Sequence, residues 1–399
     1  MTSAGPPTGA GRPQARAALV DDDLHVEVLT TPAAVEPVRH HWDDLAVRNR
    51  APYMAPAWCL AWWRHVAPAG ADLRVITVRA GDEMIAVAPF YCTTTRGVAS
   101  YRMLGTDTFP RAQPVAQPGA QEAAAAGIVA GLQDARPVPD VIAFDGIERD
   151  SPWPRLLASR WSPRVKVVLT QSMPAFAATL QTDLDAWLAG KSRNFRKQAR
   201  RHRRRLEKRQ VVFRLAGIEE SAERLADFER LHQGRFSFRG GSAVLDRRVM
   251  RMLRESAPEL MRSDRFRLHL VEHDGHVLSA EVVLAAGGEA TSWLGGFDEA
   301  WTREQVSMQG LIAAIDHAMD RDDTRLDFGP GAQSYKQRFC DVEEELDWLT
   351  LYPPGPRRPL VMAATLPRHV GGHVWQRLIS AVPEERKHQI KRLLRRIRR

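Results

Sequence analysis

Apolar and polar residues alternate along Leu24–Thr30, the period of a half-buried strand. The spacing then turns helical over residues 33–49 and again over 55–66, a stretch carrying Trp58, Trp62 and Trp63. Residues 73–91 read as strand, turn at Ala80-Gly81-Asp82, strand, which is a hairpin pattern. Residues 109–121, rich in Pro, Gln and Ala, read as a loop; 121–134 read as a helix and 139–147 as a short buried strand. The three tryptophans are expected in the core.

The second half opens with a strand over 164–170 and a helix over 183–190. A strand over 211–216 and two helices filling 219–258 come next. Residues 266–286 form a second hairpin pattern with its turn at Asp274-Gly275, and 289–297 a third strand. A helix is expected over 304–321, a buried strand over 325–331 ending in a glycine turn, and a strand over 346–352 closing the sheet. Arg74–Ile85 and Arg267–Leu278 align without a gap at an offset of 193 residues. Two helices precede each hairpin, and strand, helix and strand follow it. The order implies a diverged tandem duplication.

Charge changes this picture at two places. Residues 191–210 hold eleven Lys or Arg and one acid, Glu207. Residues 383–399 hold eight bases and two acids, so the rest of the chain sums to −7 within a net charge of +9. Local anion contacts are implied, not general adhesion to polyanions. The run 191–210 lacks Gly and Pro and should be helical, with Phe195, Ala199, His202 and Leu206 on one narrow docking face. A solvated helix normally mixes signs, because like charges at i, i+4 repel. The alternatives are a functional anion contact and a tolerated charged surface.

At 399 residues the chain has room for two domains. Its three widely spaced cysteines suggest a reducing compartment with no disulfide frame and no zinc site, and no histidines have metal spacing. No apolar run is long enough to cross a bilayer. The expected layout is a disordered leader over 1–22, an N-terminal domain over 23–163, a C-terminal domain over 164–356, and a linker with a basic amphipathic helix over 357–399. A cytoplasmic protein is expected. The apolar stripe Ile390, Leu393, Leu394 and Ile397 suits either docking on the inner face of an anionic membrane or a solvated terminus.

Three places carry candidate chemistry. Glu281 sits mid-strand among Ala280, Val282, Val283 and Leu284. Burial would raise its pKa and make it a general base near neutral pH; the alternation could equally turn it to solvent. In residues 325–339, backbone N–H groups of the turn Gly329-Pro330-Gly331 could cradle an anion, Lys336 could meet a phosphate or carboxylate, and Tyr335 could protonate a leaving group. A plain strand-to-helix turn with a packed tyrosine is the bland alternative. Ser307 and Gly310, at the start of the helix after the third strand, mark another phosphate position. There is no P-loop and no dinucleotide glycine fingerprint.

The basic helix running into a strand, "WLGGFDEAWTREQVSMQGLI", and above all "LDFGPGAQSYKQRF" resemble GNAT acyltransferases of the CelD-like branch tied to bacterial cellulose biosynthesis, which is related to the FemAB peptidyltransferases. The Trp-rich 42–66 region is similar to that branch's first half. The resemblance spans roughly residues 24–355. It implies an α/β (α+β) fold of two tandem GNAT-like domains, each a mixed, mostly antiparallel sheet flanked by helices. It implies transfer of an acyl group from acetyl-CoA or another acyl-CoA, without a metal, to an amine or hydroxyl of a small-molecule or glycan-precursor acceptor in polysaccharide or cell-envelope assembly. Glu281 would be the base and Tyr335 the acid. Ser307, Gly310, Gly329, Gly331 and Lys336 would hold the donor, and Arg193, Arg196, Arg200 and Asp327 the substrate. Only Gly310 keeps the character of the usual CoA-pyrophosphate loop. The alternatives are a FemAB-like transferase using aminoacyl-tRNA, although no coiled-coil arm is present, and a non-catalytic scaffold for an anionic polymer. Apart from tRNA in the first of these, nucleic acid is not an expected partner of the enzyme.

Overall fold

Pro37 splits the first helical stretch, because a proline inside a helix removes a donor and clashes with the preceding turn. In the computed structural model, which describes residues 24–235, 242 and 244–365, that stretch is a short helix, a 3₁₀ turn over 36–38 and a longer helix. The first half runs β1 (Leu24–Leu29), α1 (Pro32–Val35), α2 (Arg39–Arg48), α3 (Pro56–His65), β2 (Asp72–Ala80), β3 (Glu83–Thr95), β4 (Val98–Met103), β5 (Val115–Ala116), α4 (Gln121–Asp134), β6 (Val141–Glu148), α5 (Trp153–Trp161) and β7 (Lys166–Thr179). After α6 (Leu184–Ala189) and α7 (Arg193–Lys208) come β8 (Val212–Leu215), α8 (Ser221–Arg235), α9 (Arg247–Arg262), β9 (Phe266–His273), β10 (His276–Ala286), β11 (Glu289–Phe297), α10 (Val306–Asp320), β12 (Arg325–Pro330), α11 (Lys336–Phe339) and β13 (Val342–Tyr352). The expected leader and the basic C-terminal stretch 383–399 lie outside the described residues; 358–365 are helical.

The strands form one mixed sheet in the order β1-β2-β3-β4-β6-β13-β7-β12-β11-β10-β9-β8, with β5 beside β3. Five strands of each half run inward from the two ends in matching order. Both hairpins form where the glycine turns place them, with Gly81 at φ 57° and Asp274-Gly275 both at positive φ. Each half has one parallel pair, β4 with β6 and β11 with β12, joined through α4 and α10. The mixed, mostly antiparallel sheet with flanking helices is thus the fold the resemblance implies.

One expectation changes. The strand over 346–352 does not close an edge: β13 inserts mid-sheet, antiparallel to both β6 and β7. Meanwhile β7, which follows β6 in the chain, pairs with β12. By the repeat order β7, the strand expected to open the second half, is instead the counterpart of β13 and ends the first set of elements; each of these two strands is thus paired into the other set. Period alone cannot reveal such an exchange, because a strand buried by either half has the same pattern.

The basic run is helix α7, started by the Ser192 hydroxyl accepting from Phe195 N–H. Its buried residues are Phe195, Ala199, His202 and Leu206, the expected face. Repulsion between like charges costs about 0.2–0.5 kcal/mol per pair on such a helix. Burying Phe195 and Leu206 returns roughly 2 kcal/mol each, so packing wins. Trp58 and Trp62 are buried in the main core, with Trp63 packed against it.

Candidate active site

β11 and β12 run parallel only from Glu289/Arg325 to Thr291/Asp327. Beyond Thr291 the β12-facing edge of β11 has no strand partner, and an opening forms between the two strands. Glu281 on β10 is paired with Gly295 of β11 beside this opening. Its carboxylate accepts from the Ser292 hydroxyl. Burial of the carboxyl raises its pKa to about 7, offset in part by Ser292 and by the charge of Arg235. A carboxyl raised to about 7 can accept a proton near neutral pH, the property the expected base needs. Gly295 makes room for it: a Cβ there would lie 1.8 Å from Glu281 Oε2. At Gly296 a Cβ would meet the backbone N of His232 at 2.4 Å, so this glycine lets α8 approach the strand.

Tyr335, in the turn before α11, is 44% exposed. Partial burial, which strips water from the phenolate, and the charge of Glu281 raise the phenol to about 12, while Arg235 acts in the opposite direction. The two expected catalytic side chains thus lie within electrostatic reach of each other. Three further residues are added. Arg235, at the end of α8, stacks its guanidinium 4.8 Å from the Phe297 ring centre. His232 is buried, and its Nδ1–H donates to Gly295 O at 2.9 Å. Nε2 of that ring then accepts from Ser242 Oγ at 3.0 Å, and burial lowers the ring's pKa. Ser292 was hidden in a strand pattern; the only signal for the others was His232 and Arg235 spaced i, i+3 at a helix end.

The glycine turn differs from its expected role. Gly329 N–H donates to Asp327 Oδ1 at 3.0 Å and Gly331 N–H to Pro174 O at 2.8 Å. Pro330 has no N–H, so the turn offers no amide to an anion. Lys336 is buried and donates to Gly329 O at 2.9 Å and Pro330 O at 2.8 Å. Burial lowers its pKa to about 8. It holds the turn and is no phosphate contact here.

Asp327 also departs from its expected substrate contact. It is 0% exposed and pairs with Arg111 of the first half. Of the expected arginines, Arg196 donates to Ala189 O and Lys191 O, closing the C-terminus of α6. Arg200 pairs with Asp185, and only Arg193 lies exposed without an acid partner among the described residues. Gly310 packs α10 on the sheet; its Cβ would lie 3.4 Å from Val271 Cγ2. Ser307 is partly accessible in the first turn of α10, whose N-cap, Gln305, supplies no side-chain bond.

The corresponding place in the first half is closed. Past the last registered pair, Arg102/Ala143, the Arg102 guanidinium bridges to Asp145 at 2.9 and 3.1 Å. Arg111 N–H then bonds Gly146 O at 2.9 Å, drawing the 105–111 loop across the strand ends. The same loop reaches the other half, where Trp293 Nε1–H donates to Thr108 O at 3.2 Å. Among the described residues no group of His, Cys, Asp or Glu could hold a metal ion, and no helix is long and apolar enough to cross a membrane.

Residues 193–337, just over a third of the chain, match the family model of the acetyltransferase (GNAT) domain. The matched stretch contains both Glu281 and Tyr335. The fold is similar to the crystal structure of FemX, with TM-score 0.63 and 13% identity over 82% of this chain and 98% of that one. It is also similar to the C-terminal domain (DUF2156) of a putative lysylphosphatidylglycerol synthetase from Agrobacterium fabrum, with TM-score 0.53 and 13% identity over 83% and 96% of the two chains. At these identities the likeness is one of fold. No curated protein matches the chain.

Proposed function

We propose that the second half transfers an acyl group from acetyl-CoA or another acyl-CoA to an amine or hydroxyl of a small-molecule or glycan-precursor acceptor. The observation that carries this reading is the Glu281 carboxyl, raised to about 7 beside the open edge of β11 and within reach of Tyr335. The match of residues 193–337 to the acetyltransferase domain supports the same class of chemistry.

In this reading the acyl carbonyl lies along the open edge of β11, where unpaired backbone amides polarise it. The first N–H groups of α10, around Ser307, face the donor phosphates in place of the 329–331 turn. The 105–111 loop walls the acceptor side. Glu281 removes the proton from the attacking nitrogen or oxygen. A phenol at about 12 is a poor full proton donor to a thiolate with a pKa near 8.5. Glu281, protonated and titrating at about 7, passes the proton downhill to that thiolate. Tyr335 stabilises the thiolate by hydrogen bonding.

The acceptor belongs, in this reading, to polysaccharide or envelope assembly of the CelD-like kind. FemX and the lysylphosphatidylglycerol synthetase domain support the fold alone, so transfer from aminoacyl-tRNA is the competing donor chemistry. Calorimetry with acetyl-CoA, followed by thiol-release assays of Glu281→Gln and Tyr335→Phe, tests the assignment. Binding together with a loss of about 10²–10⁴-fold in the Glu281 variant is expected. Wild-type rates in both variants, or no binding of any acyl-CoA, overturns it.

A further inference from the structure

Helix α7 carries a second feature that acyl transfer does not use. At about 100° per residue, Arg193, Arg204, Lys197, Lys208, Arg201 and Arg205 fall within an arc of about 120°. This arc lies opposite the buried face formed by Phe195, Ala199, His202 and Leu206. All six cations are exposed, and none pairs with an acid among the described residues. The basic residues on the flanks differ. Arg200 pairs with Asp185, Arg203 with Glu207, and Arg209 with Glu304. The acids neutralise the sides of the helix and leave a single positive crest about 22 Å long.

We propose that this crest docks the phosphate backbone of an RNA strand. Three observations select that occupant. First, the crest is a line of charge, six cations in about 22 Å or roughly one per 4 Å, and a nucleic-acid strand offers one phosphate per nucleotide in a line. Second, a flat lipid surface would also press on the flanking carboxylates of Asp185, Glu207 and Glu304. The apolar stripe that membrane-binding helices insert is here buried against the protein. Third, four of the six cations are arginines, whose fork matches phosphate oxygens.

No aromatic residue interleaves with the crest, so the contact reads backbone and not bases. The body of α7 is tied to the segment that follows Tyr335. Arg338 Nη2–H donates to Gln198 Oε1 of α7 at 2.7 Å, and Lys191 holds Phe339 O, both within a few residues of Tyr335. The proposal does not rest on the identity of the acyl donor.

The test is fluorescence anisotropy of the full chain with a labelled oligouridylate of about 12 nucleotides across about 50–200 mM salt. The wild type is compared with Lys197→Gln/Arg204→Gln/Lys208→Gln. Far-UV circular dichroism and acetyl-CoA calorimetry, both expected unchanged, report on folding and on the separate donor site. For six phosphate contacts on a single strand, the log–log salt slope should approach about −4. The triple variant should lose at least about tenfold in affinity and about two units of slope. Undiminished binding by the folded variant overturns the proposal, as does absence of RNA binding at the lowest salt. Binding to phosphatidylglycerol vesicles without RNA binding also overturns it and moves the crest to a membrane.

Discussion

Arg111 Nε lies 2.9 Å from Asp327 Oδ2, although the two residues are 216 positions apart and belong to different halves. The same guanidinium also meets Glu148 and Glu344. Arg111 is 11% exposed and Asp327 not at all, so breaking the pair strands a buried carboxylate. Arg111→Met should therefore destabilise by about 3–5 kcal/mol in urea unfolding. Arg111→Met/Asp327→Asn should recover a large part of that loss. Equal stability of wild type and Arg111→Met would show that the pair does not join the halves.

Glu281 must be ionised to accept a proton. With its pKa raised to about 7 by burial, kcat/KM should rise with pH through about 7 and then level off. Glu281→Gln should remove this limb along with most of the activity. A limb at the ordinary carboxylate position, near 4–5, would mean that the carboxyl is solvated in solution and is not the base.

Most elements were legible because each is amphipathic at its own period, and both hairpins carried glycine turns. Glu281 was legible for a related reason: a carboxylate inside an apolar strand must be paired, neutralised or functional. The exchange of β7 and β13 was not legible, since strand pattern encodes burial and not the identity of the neighbour. The 329–336 turn misled for a physical reason. Glycines and a lysine after a strand have the composition of an anion cradle, but Asp327 Oδ1 and Pro174 O take the amides and the lysine turns inward. Nor did composition separate the six cations of α7 that lack an acid partner among the described residues from those held by Asp185, Glu207 and Glu304.

Lys336 distinguishes a holding role from a phosphate contact. Lys336→Met removes the donor to two carbonyls in the turn next to Tyr335 and should lower kcat and loosen the fold by about 1–3 kcal/mol. The acyl-CoA Kd should stay near wild type. A Kd raised tenfold at unchanged kcat would restore the phosphate contact expected from the sequence.

Gly295→Ala tests the packing of the carboxyl. The added methyl would overlap Glu281 Oε2, so the side chain must leave its place beside Ser292. Activity should fall about 10²-fold, because a small misplacement of a reacting group is costly. Donor binding should change little. If Gly295→Ala keeps wild-type kcat, Glu281 does not act from this position.

The same carboxyl links pH to stability with a definite sign. Its folded pKa, about 7, lies above the ordinary carboxyl value of 4.5, so the folded state holds the proton more tightly. Stability from this group is full below about 4.5 and is lost as pH rises toward 7, to a limit of about 3 kcal/mol. Glu281→Gln keeps a neutral side chain at every pH. Its stability relative to wild type should therefore increase between pH 5 and pH 8, by up to that amount, while activity falls. Urea midpoints at the two pH values check this. A gap between the proteins that does not widen would mean that ionising Glu281 costs the fold nothing, and the burial that makes it a base at neutral pH would be absent.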